Sequence, residues 1–144
     1  MSTCAVTMDD LDKLLAPYSP SSEQGKKGKV MVIDDDPGIR DALEDTLQRR
    51  GYDVSSYATG VEALSALDRS VSVVVLDAKL PKLDGCVVYE RIKRRHDIPV
   101  IFHTAYVGED SVPYRDLEPF DYIIKGHESQ SLYDAIDRAV KDDG

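Results

Sequence analysis

The stretch VSVVVLDAKLPKLDG, Val71 to Gly85, decides how the chain is read. Val71, Val73, Val74, Val75 and Leu76 form an apolar run without polar alternation. A strand covered on both faces, as in a parallel sheet, reads this way. The run stops on a carboxylate, Asp77, and passes into a loop held by Pro81 and closed by Asp84-Gly85. Asp77 is therefore delivered to the carboxyl edge of the sheet. Ligands of open α/β sheets bind at that edge, so a carboxylate there is a candidate for chemistry.

Outward from this stretch, strands alternate with helices. Lys29 to Ile33 is a first apolar run ending in Asp34-Asp35-Asp36-Pro37. Asp36 before Pro37 reads as an N-cap with proline at the first helical position. That helix is expected to reach about Arg50, with Ile39, Ala42, Leu43 and Leu47 on one face and Gly51 as its stop. Asp53 to Tyr57 is a short second strand. Thr59-Gly60-Val61-Glu62 is a capping box opening a helix that carries Val61, Leu64 and Leu67. After the Asp77 strand comes a helix over about Asp84 to Arg95, with Val87, Val88 and Ile92 turned inward. Pro99 to Phe102 is a fourth strand leading to His103-Thr104, and Asp121 to Ile124 a fifth ending at Lys125. Leu132, Ala135, Ile136, Ala139 and Val140 give the stripe of a final helix.

Five strands in alternation with helices imply an α/β fold, a parallel sheet wrapped on both faces, because each parallel return needs a crossover. Four strands then end on polar groups at one edge: Asp34 and Asp35, Asp77, Thr104, and Lys125. An acidic run is usually a solvated turn, and a Thr or Lys after a strand is usually surface. Their convergence is the signal. Three carboxylates meeting from neighbouring strands repel, so the site holds protons or a cation. Oxygen-only ligands favour Mg²⁺, which takes one or two carboxylates, waters and a phosphate oxygen. A nucleophilic carboxylate beside Mg²⁺, with a lysine and a hydroxyl opposite, suits phosphoryl transfer.

Composition bounds the rest. The 144 residues, 42% hydrophobic, are enough for one domain with a sizeable core. A net charge of -9 disfavours a nucleic-acid or anionic-membrane surface. No run reaches the ~20 apolar residues of a membrane span. Cys4 and Cys86 lie far apart and read as free thiols of a reducing, cytoplasmic setting. Residues 1-28 are expected to be an extension and linker ahead of a domain over 29-144. Within that extension, Met8 to Ala16 could form two turns with Leu11, Leu14 and Leu15 on one side. Pro17 to Lys29 reads as a Ser-, Pro-, Gly- and Lys-rich linker.

VMVIDDDPGIR, VVVLDAKLPKLDG, PVIFHTA and DYIIK resemble, in order and spacing, the four signature blocks of response-regulator receiver domains of two-component signalling. The resemblance covers about Lys29 to Asp142 and implies a flavodoxin-like sheet of strand order 2-1-3-4-5. It implies Asp77 as phosphoacceptor, Asp35 as a direct Mg²⁺ ligand, Asp34 acting mainly through water, and the main-chain carbonyl of Lys79 as a further ligand. It also implies Thr104 as switch hydroxyl, Lys125 as phosphate-pairing lysine, and Tyr122 as an aromatic that turns inward with Thr104. A sensor histidine kinase or phosphotransfer protein would then be the donor. A downstream effector would read the face formed by Tyr106 to Tyr122 and the last helix.

Such a domain is a signalling acceptor that promotes its own phosphorylation and dephosphorylation rather than a conventional enzyme. With the last helix at the end of the sequence, a stand-alone receiver is expected. Two departures stand out. Gly126 follows Lys125 where the family commonly has proline, and Pro113 and Pro119 limit the fourth helix to little more than Ser111 as cap and a turn or two. Two other readings fit part of the pattern. A haloacid-dehalogenase-like Mg²⁺-dependent phosphatase would use Asp34 as nucleophile and Asp36 two positions on; a degenerate receiver would only bind.

Overall fold

The computed structural model describes residues 27–105, 107–126 and 129–143. Strands and helices alternate as β1 (Lys29–Ile33), α1 (Pro37–Arg49), β2 (Asp53–Tyr57), α2 (Gly60–Ala66), β3 (Val73–Leu76), α3 (Gly85–Arg95) and β4 (Val100–Thr104). A 3₁₀ turn (Gly108–Ser111) and a single turn α4 (Val112–Arg115) follow, then β5 (Asp121–Ile124) and α5 (Ser129–Asp143). The five strands pair in parallel in the order β2-β1-β3-β4-β5, which is the expected 2-1-3-4-5 order.

Alternate residues of the central strands feed two cores, as the two-residue period of a strand requires. Val30, Val32, Val73, Val75 and Ile101 meet Leu43 and Leu47 of α1 and the Leu132, Ala135, Ile136 and Ala139 stripe of α5. Met31, Ile33, Val74, Leu76 and Phe102 meet Ala63 and Leu64 of α2, Val88 and Ile92 of α3, and Tyr114 of α4. All four residues of β3 are buried, which explains its lack of polar alternation.

The helix ends follow their local chemistry. Asp36 Oδ1 accepts from the amides of Gly38 and Ile39, so Asp36 is the cap of α1. Thr59 Oγ1 accepts from the Glu62 amide and opens α2. Gly51, at φ 101°, ends α1 in the left-handed region that glycine tolerates.

Several expectations are displaced. β3 starts at Val73 because Val71 is still in a turn, its amide donating to the Asp68 carbonyl. β4 begins after Pro99 and runs on to Thr104. Val61 is exposed: the stripe of α2 facing the core is Gly60, Ala63, Leu64 and Leu67, set by the close approach of Gly60 to Val88. Ala42 is exposed too, and Val87 only half-buried. Ser111 does not cap α4 by accepting a helix amide, for its hydroxyl donates to the Gly108 carbonyl and accepts from Arg115 Nε. Lys27 and Gly28, expected in the linker, are hydrogen-bonded into the domain through Gly51 and Asp53. Met8 to Ala16, and the rest of the linker before Lys27, lie outside the described residues, as does Tyr106.

Candidate phosphoacceptor site

At the carboxyl edge, β1 delivers Asp34 and Asp35 and its neighbour β3 delivers Asp77. One carboxylate oxygen from each lies within 4.8 Å of the others. Asp34 and Asp77 are buried, while Asp35 is exposed at the rim. Lys125, just past β5, reaches across the sheet edge to place its Nζ 2.9 Å from Asp34 Oδ2 and 3.1 Å from Asp77 Oδ2. Main-chain amides take the opposite oxygens: Asp36 N–H donates to Asp34 Oδ1 at 2.9 Å, and Lys79 N–H approaches Asp77 Oδ1 at 3.4 Å. The main chain of Lys79 thus borders the cluster.

Burial raises the Asp77 pKa and the nearby Asp34 charge adds to this, while the Lys125 ammonium works in the other direction. Burial opposes the Lys125 charge, but hydrogen bonding to Asp34 and the charge of Asp77 outweigh it, leaving the lysine pKa raised. One ammonium against three carboxylates leaves an excess of negative charge with oxygen ligands only. That is a donor set for a hard cation such as Mg²⁺.

The loop after Asp77 is fixed by close packing. A Cβ on Gly85 would lie 2.5 Å from the Ala78 carbonyl oxygen and 2.8 Å from that of Asp77, closer than such atoms approach. Glycine there lets the Gly85 amide donate to Ala78 O at 2.9 Å and close the loop. Lys82 adopts φ 70°, a left-handed turn inside it.

Thr104 is buried at the end of β4, and its carbonyl accepts the Lys125 main-chain amide at 2.7 Å. The hydroxyl-bearing and lysine-bearing strand ends are thereby tied together. Tyr122 is half-buried, its ring 6.0 Å from that of Phe102, with the Arg115 guanidinium 4.2 Å from its centroid. Gly126 has φ 86°, so the position after the lysine uses the backbone freedom of glycine.

Three residues that contribute here leave no sequence signal. Arg40 donates to the Asp34 carbonyl at 2.8 Å, holding the acidic turn from the α1 side. Tyr114 donates to Asp84 at 3.0 Å and packs edge-on against Phe102, joining the Asp77 loop to α4. His103 is held neutral, its pKa pushed down to about 4 by burial and by Lys125 against the opposing pull of Asp34. Tyr114 and His103 act through elements distant in sequence, and Arg40 through the turn between β1 and α1.

A five-stranded parallel sheet with an acid cluster, a hydroxyl and a lysine at one edge defines the class. The sequence model of the response regulator receiver domain matches residues 30–137, and the chain belongs to that family. Its members are signalling proteins of two-component systems.

Among curated proteins it is 41% identical over 109 residues to "Probable transcriptional regulator ycf27" of Porphyridium aerugineum, covering 74% of this chain and 45% of that protein. It is 33% identical over 118 residues to the DNA-binding transcriptional regulator NtrC of Escherichia coli K12, covering 80% of this chain and 25% of that one. The chain thus spans less than half the length of these relatives. A receiver domain from Clostridium thermocellum aligns with TM-score 0.71 and 28% identity over 80% of this chain and 95% of that one. The response regulator TrrA of Thermotoga maritima, solved in complex with Mg²⁺-BeF, aligns with TM-score 0.69 and 26% identity over 78% and 98%. Family membership displaces the phosphatase alternative, in keeping with Asp36 capping α1. No described helix is long and apolar enough to cross a membrane.

Proposed function

We propose that the domain accepts a phosphoryl group on Asp77 from a phosphohistidine of a sensor kinase or phosphotransfer protein and presents the changed surface to an effector. The observation that carries this reading is the bridge of Lys125 between Asp34 and Asp77, a cation poised over a buried nucleophile. A Mg²⁺ held by Asp34, Asp35, Asp77 and the Lys79 carbonyl would supply positive charge to the phosphoryl oxygens. The same chemistry is consistent with the Mg²⁺-BeF bound to the Thermotoga protein.

The Asp77 carboxylate forms the new O–P bond as the P–N bond to the donor imidazole breaks, and the leaving imidazole nitrogen takes up a proton. Lys125 then exchanges its carboxylate partners for phosphoryl oxygens, and the Thr104 hydroxyl donates to one of them. These contacts exist in one state and not the other, so they bias the conformation. Moving Thr104 draws on the ring of Tyr122 and the stretch from 106 to 122, and with the last helix this is the face offered to the effector. The DNA-binding of NtrC belongs to that longer protein. An acidic domain of this kind signals to other proteins rather than to nucleic acid.

Incubation with acetyl phosphate, with and without Mg²⁺, tests the assignment. Wild type should gain one alkali- and hydroxylamine-labile phosphoryl group on Asp77 only with the metal, and Asp77→Asn should gain none. Phosphate on the Asp77→Asn chain, mapped to Asp34, would overturn it.

A further inference from the structure

The amino edge of the sheet, opposite the acid cluster, carries the reverse charge. The last turn of α3 holds Lys93, Arg94 and Arg95, and Arg91 is exposed one turn earlier. Cations at a helix C-terminus complement its dipole, and two of these serve the fold: Lys93 Nζ donates to the Ile98 carbonyl and Arg95 to that of Leu64. That does not account for Arg69, which arrives from the loop before β3. Arg69, Arg95 and His96 rim a cavity of about 320 Å³ whose deeper lining includes Val71 and Ile98. Asp97 also lines it, engaged by Lys93 at 3.4 Å. On a chain of net charge -9, this is a local excess of positive charge over an apolar floor, even with Asp68 and Asp97 beside it.

The described chain begins at Lys27, which lines a separate cavity with Tyr52 and Lys141, while Gly28 packs against Ser72, next to Val71 of the basic cavity. A Cβ on Gly28 would lie 3.0 Å from Ser72 Oγ, and Ser72 N–H donates to the Lys29 carbonyl at 2.8 Å, so the preceding residues leave next to the loop that bears Arg69. Upstream lies MDDLDKLLA, residues 8–16, which sets Asp9, Asp10 and Asp12 against the one cation Lys13 and carries Leu11, Leu14 and Leu15. The connection from Ala16 to Lys27 spans about 18 Å root-mean-square if flexible, enough to bring that stretch back to the cavity mouth. Tethering at this range corresponds to an effective concentration of order millimolar, so a weak site is filled.

We propose that the basic cavity is the docking site of residues 8–16 of the same chain, with Asp9, Asp10 and Asp12 facing Arg69 and the last turn of α3 and leucines covering Val71 and Ile98. The contact lies at the end of the sheet away from Asp77, so it is independent of phosphorylation.

A nitroxide on Cys4 in the full-length Cys86→Ser chain reports the contact through relaxation of amide resonances. A tethered segment brushes the nearby loop in any case, so the reading is the change between variants with the same linker. Resonances of Val71 and Ile98 should be broadened, and should recover with Asp9→Arg plus Asp10→Arg, with Arg69→Glu plus Arg94→Glu, or in about 1 M salt, where the Debye length is about 3 Å. Combining all four substitutions should restore the broadening. Broadening indifferent to these reversals, or concentrated instead around Tyr52 and Lys141, would overturn the proposal. So would broadening of an unlabelled isotope-enriched chain mixed with labelled chain, which would place the segment of a second copy in the cavity.

Discussion

The half of the domain from Lys29 to Arg95 and the stretch from Gly108 to Ile124 are built on different terms. In the first, helices of 13, 7 and 11 residues alternate with strands, and β1 and β3 are almost wholly buried. In the second, a four-residue 3₁₀ turn runs into a four-residue helix, and every residue of β5 is only half-buried. Few intrahelical bonds and little buried apolar surface place a segment at the low end of local stability. The proposed nucleophile, Asp77, and the acid cluster proposed to hold Mg²⁺ sit on the first half, while Lys125 and Tyr122 sit on or beside the second. Chemistry that needs fixed geometry is thus anchored, and the residues that must respond are held lightly.

Gly85→Ala attacks the anchored half at its tightest point. The added methyl meets main-chain oxygens of Ala78 and Asp77 that have no side-chain freedom to yield. Overpacking of this kind costs roughly 1–3 kcal/mol, and the upper part of that range is expected by denaturant titration, together with impaired phosphorylation. A neutral effect would mean the Asp77 loop is as pliant as the 108–124 stretch.

Tyr114→Phe attacks the seam between the halves by removing the hydroxyl that Asp84 accepts. The net worth of such a bond is about 1 kcal/mol, so global stability should fall modestly. Amide exchange should accelerate in 108–115 while α1 and α2 are unchanged. Acceleration spread evenly over the domain would erase the distinction.

Smallest near neutral pH, and confined to acid, is the effect of His103. Its folded pKa of about 4 lies below the ordinary histidine value of 6.5, so between these pH values the unfolded chain binds a proton that the folded one does not. Stability from this group is complete above pH 6.5 and is lost as pH falls toward 4. His103→Leu should flatten that part of the stability profile, measured by urea midpoints across pH. An unchanged slope would show that His103 titrates normally in the fold.

Legibility in the sequence cuts across the two halves. β1, β2 and β5 fall on the residues expected of them, and Asp34, Asp35, Asp77, Thr104 and Lys125 are legible as a group because each ends or follows a strand. Signals that lie within one element survive in sequence. The α2 stripe was misjudged at Val61 because a glycine, Gly60, takes the core-facing place and shows no hydrophobicity. Tyr114, Arg40 and His103 escaped notice because their roles come from partners 30 or 6 residues away or on neighbouring strands.

Hydrogen exchange of the full chain with Mg²⁺ and beryllofluoride, set against the free chain, measures the contrast between the halves most directly. New protection should concentrate in residues 107–122, with little change in α1 and α2. Protection spread uniformly over both halves, or confined to α1 and α2, would contradict the division of labour drawn from the fold.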